Sequence, residues 1–248
     1  MQKFTNLVQE AIDTKLKGWD LSFFKDRVST TALPWSYKNT VLTYLKKRQC
    51  MLDMGTGGGE FLSMLQPLPL CTYVTEGYEP NVSVARKLLE PLGVKVYHIT
   101  DDNELPFDAN FFDLIINHHE SFSLNEISRI LKPGGFFITQ QVGKENNLEL
   151  NKFFHDYFYH KKVWDLSFVV NHLKDLPFTI HTQQEARPEK HFYDIGAVVF
   201  YLKMIPWQIK GFQIEKNIDR LRELHEVICQ KGSFKTHAYR FFLILEKL

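Results

Sequence analysis

The stretch that decides the fold is Met51-Leu52-Asp53-Met54-Gly55-Thr56-Gly57-Gly58-Gly59-Glu60. An apolar run meets an acid, and four glycines follow within five residues, ahead of a segment compatible with a helix. Glycine this dense permits a sharp turn and lets a ligand approach the main chain closely. The helix that follows directs unpaired N–H groups and its positive dipole end at the turn, which favours an anionic group. The stretch therefore predicts the ligand-binding loop of an α/β protein.

Predicted strands and helices alternate on both sides of this loop. Short apolar or β-branched runs indicate buried strands, and apolar residues three or four apart indicate helices. The predicted strands are 49–53, 70–75, 94–99, 111–116, 136–141, 178–184 and 237–245. The predicted helices are 4–17, 37–47, 59–66, 81–90, 125–131, 146–159, 164–173, 194–204 and 218–231. Of these, 194–204 is also compatible with a strand. The alternation predicts a doubly wound, mostly parallel α/β sheet.

Composition and charge limit the classes of partner and site that the chain can have. The chain has 248 residues and a net charge of +1, so nothing overall predicts a partner such as DNA or a membrane surface. The spacing of the three cysteines, Cys50, Cys71 and Cys229, predicts no metal site. We expect them to be unpaired core residues of a cytoplasmic protein, since an odd, scattered set suits a reducing compartment. The amino terminus lacks the apolar core of a signal peptide.

Polar residues follow four predicted strands, at the sheet edge where ligands bind in open α/β folds. These are the glycine loop, Glu76, the pair Asp101 and Asp102, and the cluster 117–120. The two oxygens of Glu76 suit two vicinal ribose hydroxyls, and Glu79 is the alternative for that role. Asp101 or Asp102 is a candidate acceptor for an adenine amino group. A dinucleotide is disfavoured, because Glu60 stands where the third glycine of its fingerprint would lie.

The segments that carry a family resemblance lie within about residues 45–142. They are Leu52 to Gly59, the acid after the second strand with Ala85-Arg86, Asp101 before Leu105-Pro106-Phe107, Phe111 to Ile116, and Arg129 to Gly135. In this order they resemble the class I, seven-stranded S-adenosylmethionine-dependent methyltransferases, of the ubiquinone-biosynthesis type. The resemblance implies S-adenosyl-L-methionine as the cofactor, S-adenosyl-L-homocysteine as its product, and a sheet ordered 3-2-1-4-5-7-6 with the last strand antiparallel.

The same resemblance implies roles for individual residues. Gly55, Thr56 and Gly57 would face the methionine part of the cofactor, and Asp53 would orient its ammonium. Asn117 and His118 would line the channel between the methyl group and the acceptor. The long segment 185–236 departs from the family pattern. We expect a single domain, 1–248, with an N-terminal helical lid (1–45), a cofactor-binding core (46–145) and a C-terminal part (146–248) that carries a helical substrate cap.

The acceptor stays open at this point. His118, His119 and Glu120 are candidate bases if the acceptor must lose a proton. Because adjacent residues in a loop at the end of a strand cannot all face one pocket, at least one of the two histidines is expected to be structural. The aromatic side chains before the loop either wall a planar acceptor or form core; these are Trp19, Phe23, Trp35 and Tyr37. A small-molecule acceptor is favoured by elimination. The alternatives are a cofactor-binding regulatory protein without turnover, and an RNA or protein methyltransferase.

Overall fold

The structure is a computed structural model that describes residues 3–16, 20–46, 48–157 and 163–248. Its helices are α1 (Phe4–Asp13), α2 (Tyr37–Leu45), α3 (Glu60–Ser63), α4 (Glu79–Leu89), α5 (Leu124–Ile130), α6 (Leu148–Phe153), α7 (Leu166–His172), α8 (Ile195–Met204) and α9 (Ile218–Lys231). Its strands are β1 (Val28–Thr30), β2 (Cys50–Met54), β3 (Cys71–Glu76), β4 (Lys95–His98), β5 (Phe112–His118), β6 (Leu131–Val142), β7 (Phe178–Ala186), β8 (Glu189–Phe192), β9 (Phe234–His237) and β10 (Arg240–Lys247).

The chain divides into two compact units, each built from separate segments. Unit 1 contains residues 1–33, 144–163 and 186–239, and unit 2 contains residues 34–143, 164–185 and 240–248. The predicted cap segment 185–236 falls almost entirely in unit 1, whereas the predicted lid 1–45 is divided between the units. That these segments cover a substrate stays a prediction.

Unit 2 carries a seven-stranded sheet in the order β4-β3-β2-β5-β6-β10-β7. The pairs from β4 through β6 are parallel, and β10 lies antiparallel to β6. Numbered within this sheet, the order is 3-2-1-4-5-7-6, so the predicted order and the antiparallel last strand are confirmed.

Both faces of this sheet are buried, as the apolar runs in its strands predict. Met51, Leu114 and Phe242 belong to one apolar cluster, which includes Val41 of α2 and Ala85 of α4. The residues next to them in sequence, Leu52, Ile115 and Phe241, belong to a second cluster with residues of α5 and α7. Because side chains alternate along a strand, the two clusters lie on opposite faces of the sheet. The loops at the carboxyl ends of the parallel strands are left as the edge where ligands bind in open α/β folds.

Unit 1 contains α1, α8 and α9 together with a three-stranded sheet ordered β1-β8-β9. Both of its strand pairs are antiparallel. The prediction that the cap segments are helical is therefore incomplete. Each of the three strands has only three or four residues, too few to show a clear alternation.

Several element boundaries differ from the predictions. The predicted final strand 237–245 corresponds to β10, which begins at Arg240, whereas His237 ends the separate strand β9 of unit 1. The first helix ends at Asp13 and not at residue 17, which lies outside the described residues. The predicted helix 146–159 is observed as the shorter helix α6, which ends at Phe153. Residues 158 and 159 lie outside the residues that the structure describes. The segment 194–204 is the helix α8, as favoured.

The cysteines differ from the expectation that all three are unpaired core residues. Cys50 and Cys71 lie opposite each other on β2 and β3, with their Cα atoms 4.5 Å apart, and form a disulfide. Cys229 is free but exposed. Adjacent parallel strands place the first two within bonding range although they are far apart in sequence. Among the described residues, the helices are all too short or too polar to cross a membrane.

Candidate functional site

The glycine loop joins β2 to α3 and bends where its glycines have positive φ. The φ angles are +65° at Gly55, +63° at Gly57 and +90° at Gly59. A side chain at Gly55 would overlap Glu120, because a Cβ atom there would lie 2.3 Å from Glu120 Cγ. The loop is fixed to β3 by a hydrogen bond of 3.0 Å from the Thr56 N–H to the Thr75 carbonyl. The main chain of Gly55 is therefore closely packed against Glu120 and has no room for a side chain.

Glu76 ends β3 and lies against this loop. Its carboxylate is buried and accepts hydrogen bonds from the N–H groups of Gly57 (2.7 Å) and Tyr78 (2.8 Å). A carboxylate has about four lone-pair sites, so two remain for a ligand. Glu79 begins α4 and is exposed. This geometry favours Glu76 over Glu79 for the ribose.

A cavity of about 220 Å³ opens at the same edge of unit 2. Its walls come from the loops that follow β2, β3, β4 and β5. The lining residues are Gly55, Gly77, Ile99, Thr100, Asp101, Asp102, Glu120 and Ser121. Gly55, Asp101 and Asp102 are thus brought together as the sequence predicted. Glu120 and Ser121 line the cavity, whereas His118 and His119 do not.

The carboxylates around this cavity repel one another. Burial raises the pKa of Glu120, and the charges of Asp102 and Glu76 raise it further, against the Ser121 N–H. Burial also raises the pKa of Asp102, with a contribution from Asp101, although the Ser121 hydroxyl donates to it. Asp101 differs, because the N–H groups of Asn103 lower its pKa. Within the described part of the chain, none of these carboxylates forms an ion pair with a basic side chain.

Asp53 is the most perturbed acid of the site. Burial raises the pKa of Asp53 to about 7, Glu76 contributes in the same direction, and the nearby Thr56 hydroxyl opposes it. Two buried hydroxyls near this carboxylate, those of Tyr37 and Thr56, lack a hydrogen bond of good geometry among the described residues. Such groups are costly to bury unpaired, so this corner of the site has hydrogen-bonding capacity left for a polar ligand.

Asn117 is fully buried beside β6. Its Oδ1 atom accepts hydrogen bonds from the Thr139 hydroxyl (3.1 Å) and the Gln141 amide (2.5 Å), and its Nδ2 donates to the Ser121 carbonyl (3.3 Å). These bonds hold the loop that carries Glu120 and Ser121. The predicted place of Asn117 in the methyl channel stays a prediction, and in this geometry its amide supports the loop.

His118 ends β5 and His119 follows it, and neither lines the cavity. The His118 ring stacks on Tyr37, with centroids 4.6 Å apart, and lies 4.1 Å from the His119 ring. His119 has a positive φ of 68°, which ends the strand alternation, and its ring contacts that of His118. Burial lowers the pKa of His118 to about 4, and Arg240 contributes. His119 has an exposed edge, yet the protein around its ring, His118 and Arg240 hold its pKa well below the usual value.

Sequence reasoning missed Ser121 and Gln140. Ser121 joins the cavity to the Asn117 network, and Gln140 contacts both histidines. The signal was two consecutive glutamines, Gln140 and Gln141, at the carboxyl end of an apolar strand, where buried amides require partners. Of the aromatic residues singled out, Phe23 packs on Phe200 in the core of unit 1, and Trp19 lies outside the described residues.

Residues 52–139 match a protein-family model described as a methyltransferase domain. The matched span contains the glycine loop, Glu76, both aspartates of the cavity and both histidines. The match confirms the predicted resemblance to methyltransferases over this span. No functionally curated protein matches the sequence.

Solved structures share the fold at low sequence identity. A provisionally assigned methyltransferase from Bacillus halodurans matches with a TM-score of 0.58 and 16% identity, over 85% of this chain and 98% of its own. Geranyl diphosphate C-methyltransferase from Streptomyces coelicolor, solved with Mg²⁺, geranyl diphosphate and S-adenosyl-L-homocysteine, matches with 0.52 and 13%, over 85% and 78%. The [4+2]-cyclase SpnF matches with 0.52 and 16%, over 85% and 80%. At these identities the likeness establishes the fold alone.

Proposed function

We propose that this chain, whose residues 52–139 match a methyltransferase-domain model, transfers a methyl group from S-adenosyl-L-methionine to a small-molecule acceptor, with S-adenosyl-L-homocysteine as product. The domain match and the methyltransferase fold support methyl transfer. The specific cofactor, the residues that bind it and the acceptor class are the proposal.

One observation carries the choice of cofactor: unpaired carboxylates surround the cavity at the glycine loop. Burial and mutual repulsion raise the pKa values of Asp53, Asp102 and Glu120. A cationic ligand relieves both penalties, whereas a diphosphate adds to them. S-adenosyl-L-methionine carries a sulfonium and an ammonium, so its charge suits the site better than that of a dinucleotide.

The residues of the site fit the parts of this cofactor. Asp53 and the buried hydroxyls of Tyr37 and Thr56 offer partners to the amino-acid end. Glu76 has lone pairs left for the ribose hydroxyls, and Asp101 and Asp102 border the cavity where an adenine amino group would donate. For Asp53, Glu76 and the two aspartates this assignment is the one that the family resemblance implies, and Tyr37 is added by the structure.

When bound, the cofactor supplies a methyl group already activated by its positively charged sulfur. The chain then has to hold the acceptor and the methyl group in line, and such positioning contributes on the order of 7–11 kcal/mol in favourable cases. The loop 117–121 is suited to this, since Asn117, Thr139 and Gln141 fix it through buried hydrogen bonds.

Isothermal titration calorimetry with S-adenosyl-L-methionine and S-adenosyl-L-homocysteine tests the proposal. Both should bind, and Glu76→Ala should weaken both by more than about tenfold, since it removes a charged hydrogen-bond acceptor. Glu79→Ala is the matched control, three residues away and exposed, and should change neither affinity. Absence of binding to the unaltered protein would refute the cofactor assignment.

The acceptor is best sought by mass spectrometry. The protein and labelled S-adenosyl-L-methionine are incubated with a metabolite extract, and the products are searched for the mass gain of one methyl group. A labelled small molecule supports the proposal. Label that appears only in RNA or protein would instead support an RNA or protein methyltransferase. We propose neither DNA nor a membrane as a partner.

A second candidate is a cofactor-binding protein that does not transfer a methyl group. The observation that favours it is that a [4+2]-cyclase has the same fold. A cofactor that binds with no methylated product from any fraction would support this candidate.

We also propose a cytoplasmic location, on the odd, scattered set of cysteines in the sequence, which the disulfide itself does not favour. The bonded pair of Cys50 and Cys71 offers the test, because cytoplasmic thiols are kept reduced. Because Cys50 is buried, the cells are quenched in acid and the protein is alkylated after unfolding; mass spectrometry should then find both cysteines labelled. A protected, bonded pair would contradict this location.

A further inference from the structure

The buried side chain of Gln140, on β6, lies between Trp35 and the two histidines. Trp35 Nε1 donates to Gln140 Oε1 at 2.7 Å. The Gln140 Nε2 atom lies 3.0 Å from His118 Nε2 and 3.1 Å from His119 Nε2. The Trp35 ring stacks on Phe242, with centroids 5.7 Å apart, which fixes the direction from which its N–H approaches.

Donor and acceptor counting then determines the protonation of both rings. An indole N–H can only donate, so the Gln140 atom that faces Trp35 is the carbonyl oxygen. The amide –NH₂ therefore faces the imidazoles, and its two hydrogens serve the two rings. A ring nitrogen that accepts a hydrogen bond carries no proton, so both Nε2 atoms are acceptors and both protons are on Nδ1.

The surroundings favour the same neutral state. Two imidazolium rings with centroids 4.1 Å apart would repel each other, and the cationic side chain of Arg240 opposes protonation of either. Tyr37, the remaining titratable group against His118, is fully buried, and burial raises its pKa well above the usual value, so it stays uncharged at neutral pH. The low pKa values of both histidines agree with this arrangement.

We propose that Gln140, held in one orientation by Trp35, is a positioning residue that fixes His118 and His119 as neutral Nδ1–H tautomers with their Nε2 lone pairs occupied. The pair offers N–H donors to a ligand and no free basic nitrogen at Nε2. Neither Nδ1 atom has a hydrogen-bond partner among the described residues.

This assignment names an acceptor class, and that part rests on the proposed methyl transfer. A histidine base would take the acceptor's proton on a free ring nitrogen, and here none is free. The acceptor therefore presents its nucleophilic lone pair without help from these rings, as a neutral amine or a thiolate does. An alcohol, which must lose its proton during transfer, would have to give it to a group other than these rings, and Glu120 of the cavity wall is the remaining candidate base.

Nitrogen-15 NMR of histidine-labelled protein, without cofactor, tests the tautomers directly. The ring nitrogens of His118 and His119 should show Nδ1–H and unprotonated Nε2, with no titration near the ordinary pKa of about 6.5. His181, which pairs with Glu246 across the same sheet, serves as the internal control. An Nε2–H form of both rings in the unaltered protein overturns the inference.

Two variants separate the role of the amide from a purely structural one. Gln140→Glu replaces the donor by a carboxylate, so both Nε2 atoms should become protonated and the pKa values should rise by at least ~1 unit. Trp35→Phe keeps the ring but frees the amide, so the single tautomer should become a mixture. Unchanged ring signals in a folded Trp35→Phe variant would refute the role of Trp35.

Failure of this inference is distinguishable from failure of the proposed function. The tautomer measurement needs neither cofactor nor acceptor, and calorimetry with S-adenosyl-L-methionine does not depend on the histidines. When an acceptor is found, the pH profile of its methylation should lack a step from these rings. A profile with such a step, abolished in His118→Asn, would overturn the acceptor assignment.

Discussion

Gly55 is constrained twice, by its own backbone and by the side chain of Glu120. A φ of +65° costs a residue with a side chain ~1 kcal/mol, and overlap with Glu120 adds to this. We expect Gly55→Ala to lower the free energy of unfolding by ~3 kcal/mol in urea denaturation. Gly93→Ala, at +80° with nothing near its Cβ position, isolates the backbone cost. Adding Glu120→Ala to Gly55→Ala should recover the part of the lost stability that comes from the overlap. Equal losses of stability in Gly55→Ala and Gly93→Ala would contradict the contact with Glu120.

Asp53 should make the stability of unit 2 depend on pH. Its folded pKa of about 7 lies above the unfolded value near 3.8, so the folded state alone holds the proton between those values. This contribution to stability is complete at low pH and is lost as the pH rises toward 7. Relative to the unaltered protein, Asp53→Asn should gain stability over that window by at most ~1.4 kcal/mol per pH unit. The histidines, with lowered pKa values, act in the opposite direction but cancel in this difference. Parallel denaturation curves from about pH 5 to about pH 8 would refute the shift.

Glu120 should discriminate the charged cofactor from its neutral product. Its carboxylate lines the cavity against Gly55, and glutamine keeps its shape while removing the charge. In calorimetry at about pH 8, Glu120→Gln should weaken binding of S-adenosyl-L-methionine by about tenfold and change that of S-adenosyl-L-homocysteine by less than about twofold. Glu104→Gln, at a nearby exposed carboxylate outside the cavity wall, is the control. Equal loss for both ligands would indicate a role in shape and not in charge.

Elements of the large sheet could be predicted because each strand has a local signal. Short apolar runs alternate with helices, and residues that follow such strands meet at one edge, so Glu76 and Asp101 could be placed beforehand. The small sheet of unit 1 could not, because β1 pairs with a strand about 160 residues later and none of its strands shows alternation. The contact between Trp35 and Gln140 is equally non-local, at a separation of 105 residues.

Helix α5 is fastened to the loop before β5 by Arg129. Its guanidinium donates to the Phe107 carbonyl (2.7 Å), the Leu105 carbonyl (3.0 Å) and, through Nε, the Glu126 carboxylate (2.7 Å). A lysine ammonium cannot span both carbonyls, so Arg129→Lys should cost ~1–2 kcal/mol of unfolding free energy. Arg86→Lys, an exposed residue 3.9 Å from Glu90, should stay within ~0.5 kcal/mol. Both variants are compared by thermal and urea unfolding. An equal loss of stability in Arg129→Lys and Arg86→Lys would contradict this role of Arg129.

At the scale of the whole molecule, every residue proposed to bind the cofactor lies in unit 2. The peptide segments that form this unit are discontinuous, since β10 comes from the end of the chain and pairs with β6. Sequence order therefore does not divide the protein into a cofactor half and an acceptor half. A perturbation confined to unit 1 tests whether the cofactor site lies in unit 2 alone.

Gly196, on α8, offers that perturbation. A Cβ atom there would lie 2.7 Å from the Leu7 carbonyl of α1 and 2.5 Å from an Arg27 guanidinium nitrogen, both in unit 1. Gly196→Ala should therefore separate α1 from α8 and cost ~1–3 kcal/mol locally. Hydrogen exchange followed by mass spectrometry should show faster exchange in peptides of these helices. Affinity for S-adenosyl-L-homocysteine should change by less than about twofold, because no residue of the proposed site is touched. A tenfold loss of that affinity, with slow exchange retained in β2 and β3, would place part of the cofactor site outside unit 2.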